Sequence, residues 1–264
     1  ANSAQRLAAF RTQAEELRHR MAATPLAEAT AVYIEALRHD PDDAQLHENY
    51  AEFLEETGDL GRAAVERQTV CGLIPHYYFA YFSLGRVLKE QGKLAEAQDA
   101  LGKSIELNPR QAELHRELGV VLARRGRWKE AWSELELART LGLPDPQLCL
   151  FSAEVLWKLD RRADAFTKLR EALDMDPNYW EAHYRLGEDL AIEGRVAEAA
   201  AEFQQVVSLP PNYTRAHSNL AVALLNMNRP DEAAREFEET LRLDPHDRQA
   251  LDFLGKYSGR RAKP

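Results

Sequence analysis

Alanine recurs every 34 residues at seven positions: Ala29, Ala63, Ala97, Ala131, Ala165, Ala199 and Ala233. A second column keeps the same step: Pro41, Pro75, Pro109, Leu143 (followed by Pro144), Pro177, Pro211 and Pro245. Self-similarity at such a step means a stack of supersecondary units, because each unit's apolar stripe can be covered only by its neighbours. With alanine at place 20 and proline at place 32, the units are 10–43, 44–77, 78–111, 112–145, 146–179, 180–213 and 214–247. Residues 248–264 begin an eighth unit and stop.

Within a unit the apolar residues fall at helical spacing, as in Leu84, Val87, Leu88 and then Leu94, Ala97, Leu101. No stretch keeps the alternation of a strand. Place 15 is Gly58, Gly92, Gly126 and Gly194, which breaks each unit into two helices, with Asp160 and Asn228 standing there in two others. Place 8 is small: Ala51, Gly85, Gly119, Ala153, Gly187 and Ala221. Place 11 is leucine in all six units from residue 44 onward: Leu54, Leu88, Leu122, Leu156, Leu190 and Leu224. Place 24 is large and apolar in Tyr33, Leu101, Leu135, Leu169, Phe203 and Phe237, with Arg67 as the departure. Small residues at 8 and 20 let two helices approach, and larger ones at 7, 11 and 24 fill the space around the crossing. Most prolines sit in the links between units or at helix starts, and none falls in a predicted helix interior.

This pattern resembles the tetratricopeptide repeat family over roughly residues 10–257. The shared signature is a large residue at place 4, Leu-Gly at 7–8, a large apolar residue at 11, Ala at 20 and Pro at 32. The resemblance implies an all-α fold: helix-turn-helix repeats stacked into a right-handed superhelical solenoid. About seven units and a C-terminal capping helix near 248–257 are expected as a single solenoid over 1–257, followed by a flexible tail at 258–264. A first helix over 3–21, with Leu7, Phe10, Ala14, Leu17 and Met21 on one face, is expected to cap the N-terminal end.

Composition narrows the partners. A net charge of −9 argues against broad nucleic-acid or anionic-membrane binding. No run of eighteen apolar residues exists, so no direct membrane insertion is expected. The two cysteines, Cys71 and Cys149, stand in different units without metal-type spacing and fit a disulfide-free setting. A cytoplasmic location is expected, with the periplasm or a fragment of a membrane-anchored protein as alternatives. Self-association through exposed edges is a further possibility.

No catalytic signature, glycine-rich phosphate loop or cofactor motif is present, which points to a non-enzymatic chain without a cofactor. His47, His115, His183 and His217 all occupy place 4. Equivalent places lie a helix pair apart along a stack, too far to share one metal, so these rings read as packing residues. The resemblance implies that first helices line a concave groove through places 2, 5, 6, 9 and 13. There the chain carries apolar and cationic residues among polar ones: Phe79, Phe82, Arg86, Arg116, Arg124, Phe151, Tyr184 and Arg185. Aromatics beside arginines in a concavity suit a protein or peptide segment, the rings taking apolar side chains and the guanidinium groups taking carboxylates. The same rings could instead pack against the neighbouring unit.

Two narrower readings within the family fare differently. A clamp for an acidic C-terminus, started from Arg116, would continue through Val120, Phe151, Glu181 and Arg185, and three of those five residues have the wrong chemistry. An asparagine ladder at place 6 is limited to Asn49 and Asn219. The expected function is therefore an interaction scaffold with a peptide-binding groove. The alternative is the recruiting arm of a larger enzyme or membrane protein whose chemistry lies outside this chain.

Overall fold

The structure, a computed structural model, describes residues 26–142, 145–209 and 213–261. The helix expected over 3–21 and the final three residues of the tail lie outside the described residues. Within them the chain is helical, and no strand occurs. Helix α1 (Leu26–His39) is the second helix of the first unit. Then follow α2 (Ala44–Glu56) with α3 (Leu60–Leu73), α4 (Tyr78–Glu90) with α5 (Leu94–Leu107), and α6 (Ala112–Arg124) with α7 (Trp128–Thr140). The remaining pairs are α8 (Pro146–Lys158) with α9 (Arg162–Met175), α10 (Trp180–Ile192) with α11 (Val196–Ser208), and α12 (Thr214–Asn226) with α13 (Pro230–Leu243). The last helix, α14 (Arg248–Arg261), ends beyond the residue 257 expected for the cap. The chain divides into two compact units, Ala1–Leu143 and Pro144–Pro264, at the one junction where the proline column shifts by a residue.

Each hairpin closes the same way. Gly58, Gly92, Gly126 and Gly194 take φ between +75° and +83°, and Asp160 and Asn228 take φ +58° at the same place. The next residue's amide then donates back to the carbonyl of the leucine at place 11, from Asp59 to Leu54 at 2.8 Å and from Arg229 to Leu224 at 2.9 Å. This six-to-one bond satisfies a carbonyl that the helix end would otherwise leave unpaired. The glycine column and its two polar replacements thus encode one backbone conformation, which Asp and Asn tolerate better than other side chains.

The crossing of the two helices is a size match. Ala63, Ala97, Ala131, Ala165, Ala199 and Ala233 have no exposed surface. A methyl group on Gly85, Gly119 or Gly187 would stand 2.7–2.8 Å from Leu101, Leu135 or Phe203, the plug at place 24. Arg67 fills that place in the second repeat, only 4% exposed. It is tolerated because Glu48 and Glu55, both on α2, neutralise it, with Nη2 2.8 Å from Glu55 Oε1. Burial alone would lower this guanidinium's pKa, but the two carboxylates outweigh it and the shift is upward.

The histidines at place 4 hold the hairpins to the links that precede them. Nδ1 of His47 lies 2.5 Å from Glu66, and the corresponding distances are 2.7 Å for His115 to Glu134, 2.6 Å for His183 to Glu202 and 2.7 Å for His217 to Glu236. In three of them the other ring nitrogen meets the carbonyl oxygen of the preceding link proline: 2.9 Å to Pro41, 2.9 Å to Pro109 and 3.1 Å to Pro177. Each of these three rings therefore joins the first helix, the second helix and the link at one point. Among the described residues no three His, Cys, Asp or Glu side chains converge as a metal site would require.

Candidate functional site

In the first compact unit the expected residues sort by burial. On α4, Phe79 is 37% exposed, while Phe82 is 6% exposed and belongs to the core cluster. Place 5 at this repeat points partly under the neighbouring helix, so Phe82 is a supporting ring rather than a surface one. Phe79 rests on it with centroids 5.7 Å apart, and Tyr77, 42% exposed, stands 6.0 Å from Phe79. The Arg86 guanidinium lies over the other side of the patch, 5.8 Å from the Phe82 centroid. Phe79 and Arg86 thus form a strip along α4 that rests on the buried Phe82 ring. Tyr77 joins the strip from the link, a position outside the groove places that sequence reasoning inspected.

The two arginines of α6 differ in what they offer. Arg116 is committed: it pairs with Glu113 and lies 3.3 Å from Glu117, which also takes Lys89 at 2.8 Å. Carboxylates of its own chain already neutralise it, so it adds little attraction for a partner's carboxylate. Arg124 is exposed at the end of α6, with Nη1 3.5 Å from the Lys89 carbonyl oxygen. Arg86 and Arg124 make no ion pair among the described residues. Glu113 and Glu117 lie within one helical turn of Arg116, a signal the sequence contained.

In the second compact unit, Phe151 is half-buried on α8. Tyr184 is also half-buried, with its ring 5.8 Å from Phe203 and its hydroxyl accepting from Asn219 Nδ2 at 3.1 Å. Burial is the main reason its phenol pKa is raised. Arg185 is held by its own helix, with Nε 3.2 Å from Asp189 and Nη1 3.7 Å from Glu188. Beside it α10, α11 and α12 enclose a hollow of about 370 Å³. Ile192, Val196, Phe203 and Val222 supply apolar walls, and Arg185, Glu188, Asn219 and Asn226 supply polar ones. Ile192 is the most exposed large apolar side chain in the described chain, at 66%.

Asp189 is the residue that sequence reasoning missed. Place 10 is a core position, filled by Phe53, Val87, Val121, Val155 and Ala223 in the other repeats, all buried. Here a carboxylate takes it with no exposed surface, and neither oxygen finds a hydrogen bond of good geometry. Burial raises its pKa to about 6, against the opposing pull of Arg185. Comparing place 10 across repeats would have found it.

Models of the tetratricopeptide repeat match residues 15–68, 82–142, 152–214 and 190–257. The chain belongs to the tetratricopeptide repeat family, whose members are protein-interaction scaffolds. Solved structures repeat the fold. YrrB, described as a repeat protein with an unusual peptide-binding site, is 24% identical with a TM-score of 0.56, covering 70% of this chain and 96% of its own. PilF of Pseudomonas aeruginosa is 17% identical with a TM-score of 0.68, covering 81% and 97%. A tetratricopeptide repeat protein of Parabacteroides merdae is 13% identical with a TM-score of 0.74, covering 95% and 98%. No curated protein sequence matches the chain. No described helix is long and apolar enough to cross a membrane.

Proposed function

We propose that this chain is a non-enzymatic scaffold that captures a protein or peptide segment on the first-helix face of its repeats. The observation that carries this reading is the strip on α4 and α6. Tyr77 and Phe79 are exposed rings at the start of α4, Arg86 lies over Phe82 further along it, and Arg124 reaches Lys89 near its end; no carboxylate of the described chain pairs with either arginine. A solvated face with no guest would be expected to expose polar side chains and to pair its cations internally, as Arg116 and Arg185 do. The partner that fits has aromatic or aliphatic side chains next to Asp or Glu. The rings would supply desolvated contact area and the arginines charge-assisted bonds at the rim. The hollow beside Arg185 in the second compact unit offers a place for one aliphatic side chain, with Asn226 amide groups at its edge.

A peptide array of acidic-apolar sequences, probed with the full chain, tests the reading. Binding should weaken at least tenfold in a Phe79→Ala/Arg86→Ala variant and weaken with rising salt. Unchanged binding in that variant would remove this strip from the site. The variant's melting temperature, read alongside, separates lost contact from lost fold.

A further inference from the structure

We propose that His47 and His183 act as protonation-dependent clamps, joining each hairpin to its preceding link as imidazolium ions and surrendering one of two bonds when a proton leaves. The argument is a count of donors. Around His47, Nδ1 faces the Glu66 carboxylate at 2.5 Å and Nε2 faces the Pro41 carbonyl at 2.9 Å. Around His183 the same atoms face Glu202 at 2.6 Å and the Pro177 carbonyl at 3.1 Å. Carboxylate and carbonyl oxygens only accept, whereas a neutral imidazole owns a single N–H. Both contacts hold together when the ring carries two protons. An imidazole is a stronger base than a carboxylate, so the shared proton resides on the ring.

The surroundings agree with this assignment. Glu66 on α3 and Asp42 in the link are the charged groups acting on His47; Glu202 on α11 and Asp176 in the link act on His183. Both imidazole pKa values are raised, first by the hydrogen bond to the glutamate, with burial opposing and the proline carbonyl adding to the rise. Because the folded values lie above 6.5, the clamps contribute fully below pH 6.5 and their contribution is lost as pH rises through the folded values.

Internal comparison shows that the partners go together. Place 4 is His and place 23 is Glu in four repeats: His47 with Glu66, His115 with Glu134, His183 with Glu202, and His217 with Glu236. Where place 4 becomes Tyr81 or Cys149, place 23 becomes Ala100 or Lys168. Place 23 is glutamate only where place 4 is histidine. In the third repeat Tyr81 turns instead to the Cys71 carbonyl, its hydroxyl 3.5 Å away, which makes an uncharged junction.

Imidazole nitrogen shifts of the full chain, followed by NMR from pH 5.5 to 9.5, test the clamps directly. The expected result is two protonated ring nitrogens at pH 6.5 in both residues, with midpoints above that value. Glu66→Gln, which keeps the acceptor and removes the charge, should lower the His47 midpoint by about one unit, a tenfold change in proton affinity. A His47→Gln/His183→Gln variant should melt about 3–6 °C below the wild type at pH 6, with at least half of that gap closed at pH 9. Rings that titrate at or below 6.5, or a melting gap that ignores pH, would overturn the proposal. If the double variant does not fold, the wild-type titration and Glu66→Gln decide it.

Discussion

Gly85 and Leu101 meet where a methyl group has no room. A Cβ on Gly85 would stand 2.7 Å from Leu101 Cγ and 3.3 Å from the Ala97 carbonyl oxygen. The contact sets how closely α4 and α5 approach, and Gly119 with Leu135 and Gly187 with Phe203 repeat it.

Gly85→Ala should therefore destabilise the chain by about 1–2 kcal/mol, the overpacking cost outweighing the helix propensity gained. Gly102, within α5, would place a Cβ with nothing inside 4 Å. There the same substitution should stabilise by about 0.5–1 kcal/mol. Denaturant midpoints of the two variants give the opposite signs, and equal signs would contradict the packing described.

Phe79 and Phe82 are three residues apart on α4 but belong to different surfaces. Phe82→Ala should cost about 3 kcal/mol, because it empties a buried site under the strip. Phe79→Ala should cost less, about 1 kcal/mol, since the ring is already 37% exposed and gives up only surface contacts with Tyr77, Tyr78 and Phe82. Chemical unfolding of both variants checks the contrast.

Asp189 sets a pH dependence of its own. Its folded pKa, about 6, exceeds the usual carboxylate value of 3.8, so folding is favoured below pH 3.8 and that advantage is lost as pH rises through about 6. Asp189→Val, which restores the residue found at Val87, Val121 and Val155, should stabilise on the order of 2 kcal/mol at pH 7.5 and by clearly less at pH 4. Unfolding curves at both values provide the measurement. A gain that is flat across this range would remove the desolvation argument.

Arg67 depends on its carboxylates, and they on it. Arg67→Leu should destabilise by about 2–3 kcal/mol even though leucine is usual at place 24, because Glu48 and Glu55 would lose their cation. Adding Glu48→Gln should recover part of the loss. A double-mutant cycle between the two positions reads the coupling, and full additivity would show that they act separately.

The repeat step exposed nearly all of the helical architecture, because one packing problem solved at places 8, 11, 20 and 24 recurs in every hairpin. The expected alternative for the groove rings, burial or exposure, was settled differently at different residues. Phe79 and Phe82 share a residue type and neighbouring positions on one helix, yet Phe79 is exposed at its edge and Phe82 is covered by the core. Composition at a place cannot report that difference. Charge commitment was legible: Glu113 and Glu117 lie within a helical turn of Arg116, whereas no acidic residue stands within four positions of Arg124. Asp189 was legible in principle, since the other five of the six repeats from residue 44 onward put an apolar residue there. The glutamates that answer the four histidines also follow at a constant interval of 19 residues.

The leucine-to-turn bond at the end of each first helix is made from main chain to main chain. A hairpin therefore carries its own closure and borrows no side chain from elsewhere for it. Duplicating or excising a whole 34-residue module leaves no broken turn behind, so the number of binding faces can change by integer steps while the bend within each module stays fixed.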